Sequence, residues 1–338
     1  MEFMFIEGTF NLFERPKGCS VYSIMNRIKD RLVPLHLMLT FCVGLSVLKA
    51  QTSTATTDIM GYSTVSLYPG GSAVVPPFVN SSSYSASSTF DGVSNLSASG
   101  LTVGAFNAAS GYSTFFVEIC SGPYTGYNFP VLSNTSSSIV ASGLPSDLGS
   151  VVSIKVRAYT TLSTVANGSA GLSDYADTFT LYRPNDKVSS YYYTSSGVLA
   201  DDYATAAGIV PISPGTGFII NNSLNISVTF VGEVDANQCV VPLNAGTTLV
   251  GPLNPVGGVN VSSINLAPAL APYTDSASLV ASDGSLAITS FYSDGSSLLD
   301  ANYTPLTSNG SPTVGVANGI VVNAGQNSVW TAPSVLAN

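Results

Sequence analysis

Three carboxylate pairs stand out as residues whose type and spacing could do chemistry: Asp174 with Asp177, Asp201 with Asp202, and Glu233 with Asp235. A glycosidase needs two carboxyl groups about 5 to 9 Å apart, one as acid and one as base or nucleophile. Neighbouring aspartates in loops more often serve as solvated turn residues, so a carboxylate-dependent glycoside hydrolase ranks last here and no catalytic residue is assigned. The same acids could hold calcium, but no Asp-x-Asp-x-Asp-Gly loop is present. Asp283-Gly284 and Asp294-Gly295 read first as hairpin turns, and no metal site is assigned.

Other catalytic chemistries fall away quickly. The one histidine, His36, lies near the N-terminus, ahead of the β-rich part of the chain. Without it, that part cannot build Ser-His-Asp or Cys-His nucleophile systems or His-ligated zinc. Gly215-x-Gly217 is not followed by a helical pattern and no Walker-type loop exists, so no nucleotide or other cofactor is expected. Of four cysteines, Cys19 and Cys42 precede Gln51. Cys120 and Cys239 could pair as a disulfide in an oxidising compartment or remain two separate small residues.

Aromatic residues offer binding in place of catalysis. Tyr191, Tyr192, Tyr193 and Tyr292 could present rings on a sheet face and stack on sugars, which makes them the candidate ligand-binding residues and surface glycans a candidate partner. The competing reading packs alternate tyrosines into the core, since sheets favour aromatic residues in any case. Tyr124 and Tyr127 form a further aromatic pair upstream.

Charge restricts the partners. The chain is 45% hydrophobic and only 9% charged. Six of its 10 basic residues lie within the first 50 positions, and beyond them four basic and 15 acidic side chains leave a net charge of −11. Nucleic acid and anionic membrane surfaces are therefore not expected partners, whereas self-association remains open.

Residues 25 to 50 have the layout of a secretory signal: a basic stretch from Met25 to Arg31, an apolar run from Leu35 to Leu48, then Lys49-Ala50 before a polar segment opening at Gln51. The run is too short to span a membrane stably, and no span is expected further on. Residues 1–50 are expected to be a leader, with Met25 as the start of translation, and the product to be exported to the periplasm, the cell surface or the medium. An uncleaved N-terminal anchor is the competing reading.

The elements that must position any site read as strands. Thr114–Ile119, Val151–Ala158, Phe218–Ile220, Ile226–Val231 and Gly319–Val322 are rich in β-branched and aromatic residues, with turn signals such as Ser121-Gly-Pro123 and Asn309-Gly310 between them. No segment keeps a helical period. The fold class is all-β, a sandwich or barrel-like domain.

Self-similarity sharpens that expectation. Asp177-Thr-Phe-Thr-Leu181, Ser189–Tyr193 and Leu199–Tyr203 resemble Asp275-Ser-Ala-Ser-Leu279, Thr289–Tyr292 and Leu299–Tyr303. Ile212–Asn221 resembles Val314–Asn323, and Leu67–Pro76 resembles Leu243–Pro252 at a larger offset. The difference between offsets implies an insert. Two similar β units are expected, the first at 51–91 plus 169–236 and the second at 237–338, with a small β module inserted at 92–168.

Tyr112–Asn134, Ala176–Tyr193 and Ile212–Ile220 leading to Phe230–Glu233 together resemble a family of exported all-β proteins from verrucomicrobial and related bacteria to which no function is assigned. The resemblance covers nearly all of the chain beyond the leader and implies export and β structure. Members usually carry Trp near the end of both repeat strands, where this chain has only Trp330. It supplies no catalytic or binding residue. Composition, repeats and resemblance converge on an exported, non-enzymatic structural or surface-interaction protein, with carbohydrate binding as the alternative.

Overall fold

The computed structural model describes residues 58–183, 187–280 and 288–334. The expected leader, its cleavage near Gln51 and the Asp283-Gly284 turn lie outside the described residues. The chain is nearly all β, in antiparallel sheets. Alternation drives it: along Ile226–Glu233, Ile226, Val228 and Phe230 turn inward while Ser227, Thr229 and Val231 turn outward.

Two five-stranded sheets share one strand order. The first runs Gly197–Leu199, Lys187–Thr194, Thr178–Arg183, Phe218–Asn222, Gly70–Val74. The second runs Leu298–Leu299, Ile288–Ser293, Ser276–Val280, Ile320–Ala324, Gly246–Val250. Registers correspond too: Phe218 pairs with Val74 as Ile320 pairs with Val250, shifts of 102 and 176 positions. Each sheet has a companion ladder, Met60–Leu67 with Ile226–Glu233 and Cys239–Leu243 with Ser328–Ala332. Separate apolar cores lie under each sheet, centred on Phe179 and Phe218 in the first and on Phe291 and Trp330 in the second.

The halves meet along a reciprocal backbone seam. Val75 N donates to Ala317 O (2.9 Å) and Gly251 N to Gly215 O (3.0 Å). Likewise Gly319 N donates to Ala73 O (3.0 Å) and Gly217 N to Leu249 O (2.8 Å). Gly217 is obligatory, because a Cβ there would stand 2.6 Å from Val74 O.

A third body is a six-stranded, near-closed barrel ordered Ser82–Thr89, Val151–Ala158, Phe115–Ile119, Asn128–Asn134, Ser138–Ala141, Asn95–Ser97. A bridge from Phe90 to Leu96 brings its ends together, and Val117, Ile119, Ile154 and Val156 fill its interior. Ser82 pairs with Arg157, so the chain enters and leaves the barrel side by side.

The expected insert of 92–168 is thereby corrected at both ends. Ser82–Thr89, mostly serine with only Tyr84 and Ala86 marking its inner face, is a barrel strand. Residues after Ala158 return to the main body: Thr160–Thr161 pairs with Pro211–Ile212. There the chain forms the helix Leu162–Asn167, capped by Thr161 accepting from Thr164 N, with Leu162, Val165 and Ala166 buried. Six residues are too few to show the period that would have announced a helix.

Candidate functional site

Two exposed tyrosine trios occupy matching places, one at the outer end of each five-stranded sheet. In the first, Tyr203 is central, with ring centroids 4.2 Å from Tyr192 and 6.4 Å from Tyr175. In the second, Tyr303 is central, 5.2 Å from Tyr292 and 6.2 Å from Tyr273. The four loop tyrosines are 51–61% exposed. Tyr192 and Tyr292 are half-buried on their strands.

Local backbone chemistry aims these rings outward. Tyr175, Tyr203, Tyr273 and Tyr303 all have φ between 57° and 59°, and they are four of the seven non-glycine residues with positive φ among those described. A bulky side chain in that region costs about 1–2 kcal/mol, so the surroundings must enforce it. Buried carboxylates do so for the first ring of each trio. Asp177 accepts from Ser173 N (2.9 Å) and Ser223 N (2.8 Å), while Tyr175 N donates to Tyr193 O (2.8 Å). Asp275 accepts from Ala271 N (2.8 Å) and Gly325 N (2.9 Å), while Tyr273 N donates to Ser293 O (2.8 Å).

Aspartate-braced turns hold the central rings. Tyr203 N donates to Ala200 O and Tyr303 N to Asp300 O, both at 3.0 Å. Asp202 accepts from Ala204 N and Thr205 N, and Asp300 from Asn302 N and Thr304 N. Hydrogen bonding to Thr205 keeps the Asp202 carboxyl below its ordinary value. The bond with Tyr192 raises the Tyr203 hydroxyl.

The candidate residues divide accordingly. Tyr192 and Tyr292 belong to the trios. Strand alternation turns Tyr191 into the core, 7% exposed, and Tyr193 packs against the same core, so these two are corrected from ligand-binding to structural positions. Tyr175, Tyr203, Tyr273 and Tyr303 had not been singled out. Recurrence of a loop tyrosine at corresponding places in both repeats was the available signal. Tyr124 and Tyr127 meet edge to face in the barrel, where Tyr124 donates to Asp147 (2.6 Å).

The carboxylate pairs do not form acid–base sites. Asp177 is buried and braced while Asp174 is exposed and bonded to Ser195 Oγ (2.8 Å). Asp201 and Asp202 are exposed turn residues beside Tyr203. Glu233 and Asp235 belong to a second cluster, at the junction of barrel and body.

That junction is centred on Arg157, which is fully buried. Its Nε donates to Glu118 Oε2, its Nη1 to Glu233 Oε2 and its Nη2 to Glu233 Oε1, each at 2.7 Å, and Nη1 also donates to Asn80 O (2.8 Å). Asn237 Nδ2 donates to Glu118 Oε1 (2.7 Å), and Lys155 lies 3.2 Å from Glu233. Glu118 and Glu233 are the only glutamates beyond residue 50. Burial alone would raise Glu233, but its bonds to Arg157 prevail and hold it below the ordinary carboxylate value. Burial, reinforced by the Glu118 charge, pushes Asp235 up to about 7.

Both cysteines adjoin this cluster and carry free thiols. Burial raises Cys120 to about 12 and Cys239 above its ordinary value as well, with Glu118 and Asp235 adding to both. Such thiols are poor nucleophiles. The signal for the junction was the alternation Lys155-Val-Arg157 beside a chain almost free of other charge, read naturally as a solvated face.

Among the described residues no group of three or more His, Cys, Asp or Glu side chains is arranged to hold a metal ion, and no helix is long and apolar enough to cross a membrane. Comparison with family models, curated proteins and solved structures gives no match.

Proposed function

We propose that this is an exported, non-enzymatic surface-interaction protein, built by internal duplication, whose working surface is the repeated tyrosine trio. One observation carries the reading: between the two halves all three rings recur, whereas of the acids only the buried brace Asp177/Asp275 does and the exposed ones do not. Tyr175, Tyr192 and Tyr203 match Tyr273, Tyr292 and Tyr303, whereas Asp174, Asp201 and Asp202 match Pro272, Ala301 and Asn302. A hydrolase would keep its carboxylates before its rings. Strain of the kind held at four ring positions clusters at sites that grip something.

The buried Arg157 network supports the same reading from the other side. It spends both glutamates and two of the four cations beyond residue 50 on fixing the barrel to the body. The resemblance to exported bacterial proteins agrees with the leader-like N-terminus, and we place the mature protein at the cell surface or in the medium. Carbohydrate binding, the second reading, is favoured by the rings themselves.

Fractionation of the native host, with a variant lacking Tyr175, Tyr203, Tyr273 and Tyr303, tests the proposal. Wild-type protein is expected outside the cytoplasm and attached to envelope or extracellular material, and the folded variant is expected free in the soluble fraction. Cytoplasmic protein, or unchanged attachment of the variant, would overturn it.

A further inference from the structure

We infer that each trio stacks on one sugar ring of an uncharged polysaccharide, so that a single chain carries two equivalent glycan sites. This rests on the surface-interaction reading above and names its ligand class.

Size favours a sugar over a protein. A tyrosine buries about 150–250 Å² when fully covered, and the loop rings here are already about half covered. Three such rings offer on the order of 300 Å², well short of the roughly 800 Å² each partner gives to a stable protein interface. Strand addition is a poor alternative, because the sheet edges beside the trios are the short strands Gly197–Leu199 and Leu298–Leu299.

Charge then separates two polymers that stack on aromatic rings. Single-stranded nucleic acid requires a basic groove along its backbone. The first trio is flanked instead by Asp174, Asp201 and Asp202, and the second by Asp300, in a chain with a net charge of −9. An uncharged polymer meets no such penalty. Its C–H faces cover the rings while its hydroxyls reach exposed acceptors and donors at the rim, Asp201 beside Tyr203 and Asn302 beside Tyr303.

The repeat itself suits a repetitive ligand. Two like sites on one chain gain little from a monosaccharide and much from a polymer, where linked binding raises avidity by about 10²–10⁴-fold when the spacing permits.

Affinity electrophoresis through gels containing dextran, laminarin, galactomannan or xyloglucan, with alginate and oligo(dT) as polyanions, tests the inference on the full-length protein. Tyr203→Asn and Tyr303→Asn are the informative variants, since asparagine accepts their backbone angles; circular dichroism melts verify their folding. At least one neutral polymer is expected to retard the wild type, with neither polyanion doing so. Each single variant is expected to weaken retardation about tenfold or more, and the double variant to abolish it. Failure of every neutral polymer, or retardation unchanged in the double variant, would overturn the glycan assignment. If the double variant also leaves its envelope material while no glycan binds, only the ligand class falls. Unchanged attachment to that material would remove the surface-interaction reading itself.

Discussion

A tyrosine at φ near 58° is tolerated only where something repays the strain. If that return comes from a ligand, removing the ring relieves the fold. Tyr203→Asn and Tyr303→Asn are each expected to leave stability unchanged or raise it by about 1 kcal/mol, measured by urea denaturation with an unaltered slope. A loss above roughly 2 kcal/mol would instead make the rings packing elements. At this scale the sequence was only half legible. Consecutive Tyr191-Tyr-Tyr193 drew attention to the strand, and alternation there assigns Tyr192 outward and Tyr191 inward. Tyr175 and Tyr203 sit in turns, whose positive φ follows from Asp177 and Asp202 folding back on the backbone, an arrangement no periodicity records.

Strands were the most readable elements, because β-branched residues and turn dipeptides agree along nearly every segment. What stayed hidden was contact between elements. The outer barrel face bearing Glu118 and Arg157 has the polar alternation of a wet surface and is dry only because Asn80, Glu233 and Asn237 cover it. Arg157→Leu would strand two buried carboxylates and is expected to cost about 3–5 kcal/mol in denaturant titration. Asp235 gives the same junction a pH signature. An acid whose folded pKa is near 7, against 3.8 as the ordinary value, binds its proton more tightly when folded. Stability from this group therefore rises as pH falls from about 7 to about 4. Glu233, with its lowered pKa, acts the other way, losing its contribution only below its ordinary value of 4.5. Asp235→Asn is expected to raise the melting temperature at pH 8 and to flatten its change between pH 8 and 5, read by differential scanning calorimetry.

For the whole molecule, the segments alike in sequence lie in two sheets of one strand order, and Ser82–Thr89, with too few apolar residues to declare its partner, joins the separate six-stranded sheet. The barrel's adjacent entry and exit make it removable in principle. Joining Val75 to Tyr159 through a short loop like the one between Val250 and Val259 is expected to leave a monomeric β body with both trios working, assayed by size-exclusion chromatography and the same affinity gels. Loss of β structure would show that the barrel is required for the body to fold.

The reciprocal seam also restricts how the chain can change. Because each crossing of the midline occurs twice, with donor and acceptor exchanged between partners, the contact is a palindrome written in main chain. Side chains take no part in those four bonds, so the two halves are free to diverge in sequence while their joint persists. What they cannot do is acquire bulk at Gly217, where a methyl group would meet the carbonyl oxygen of Val74 on the neighbouring strand of its own half. Such a join tolerates drift nearly everywhere and almost none at its hinge line, which is how two stretches of different sequence can still close on one another with one strand order in common.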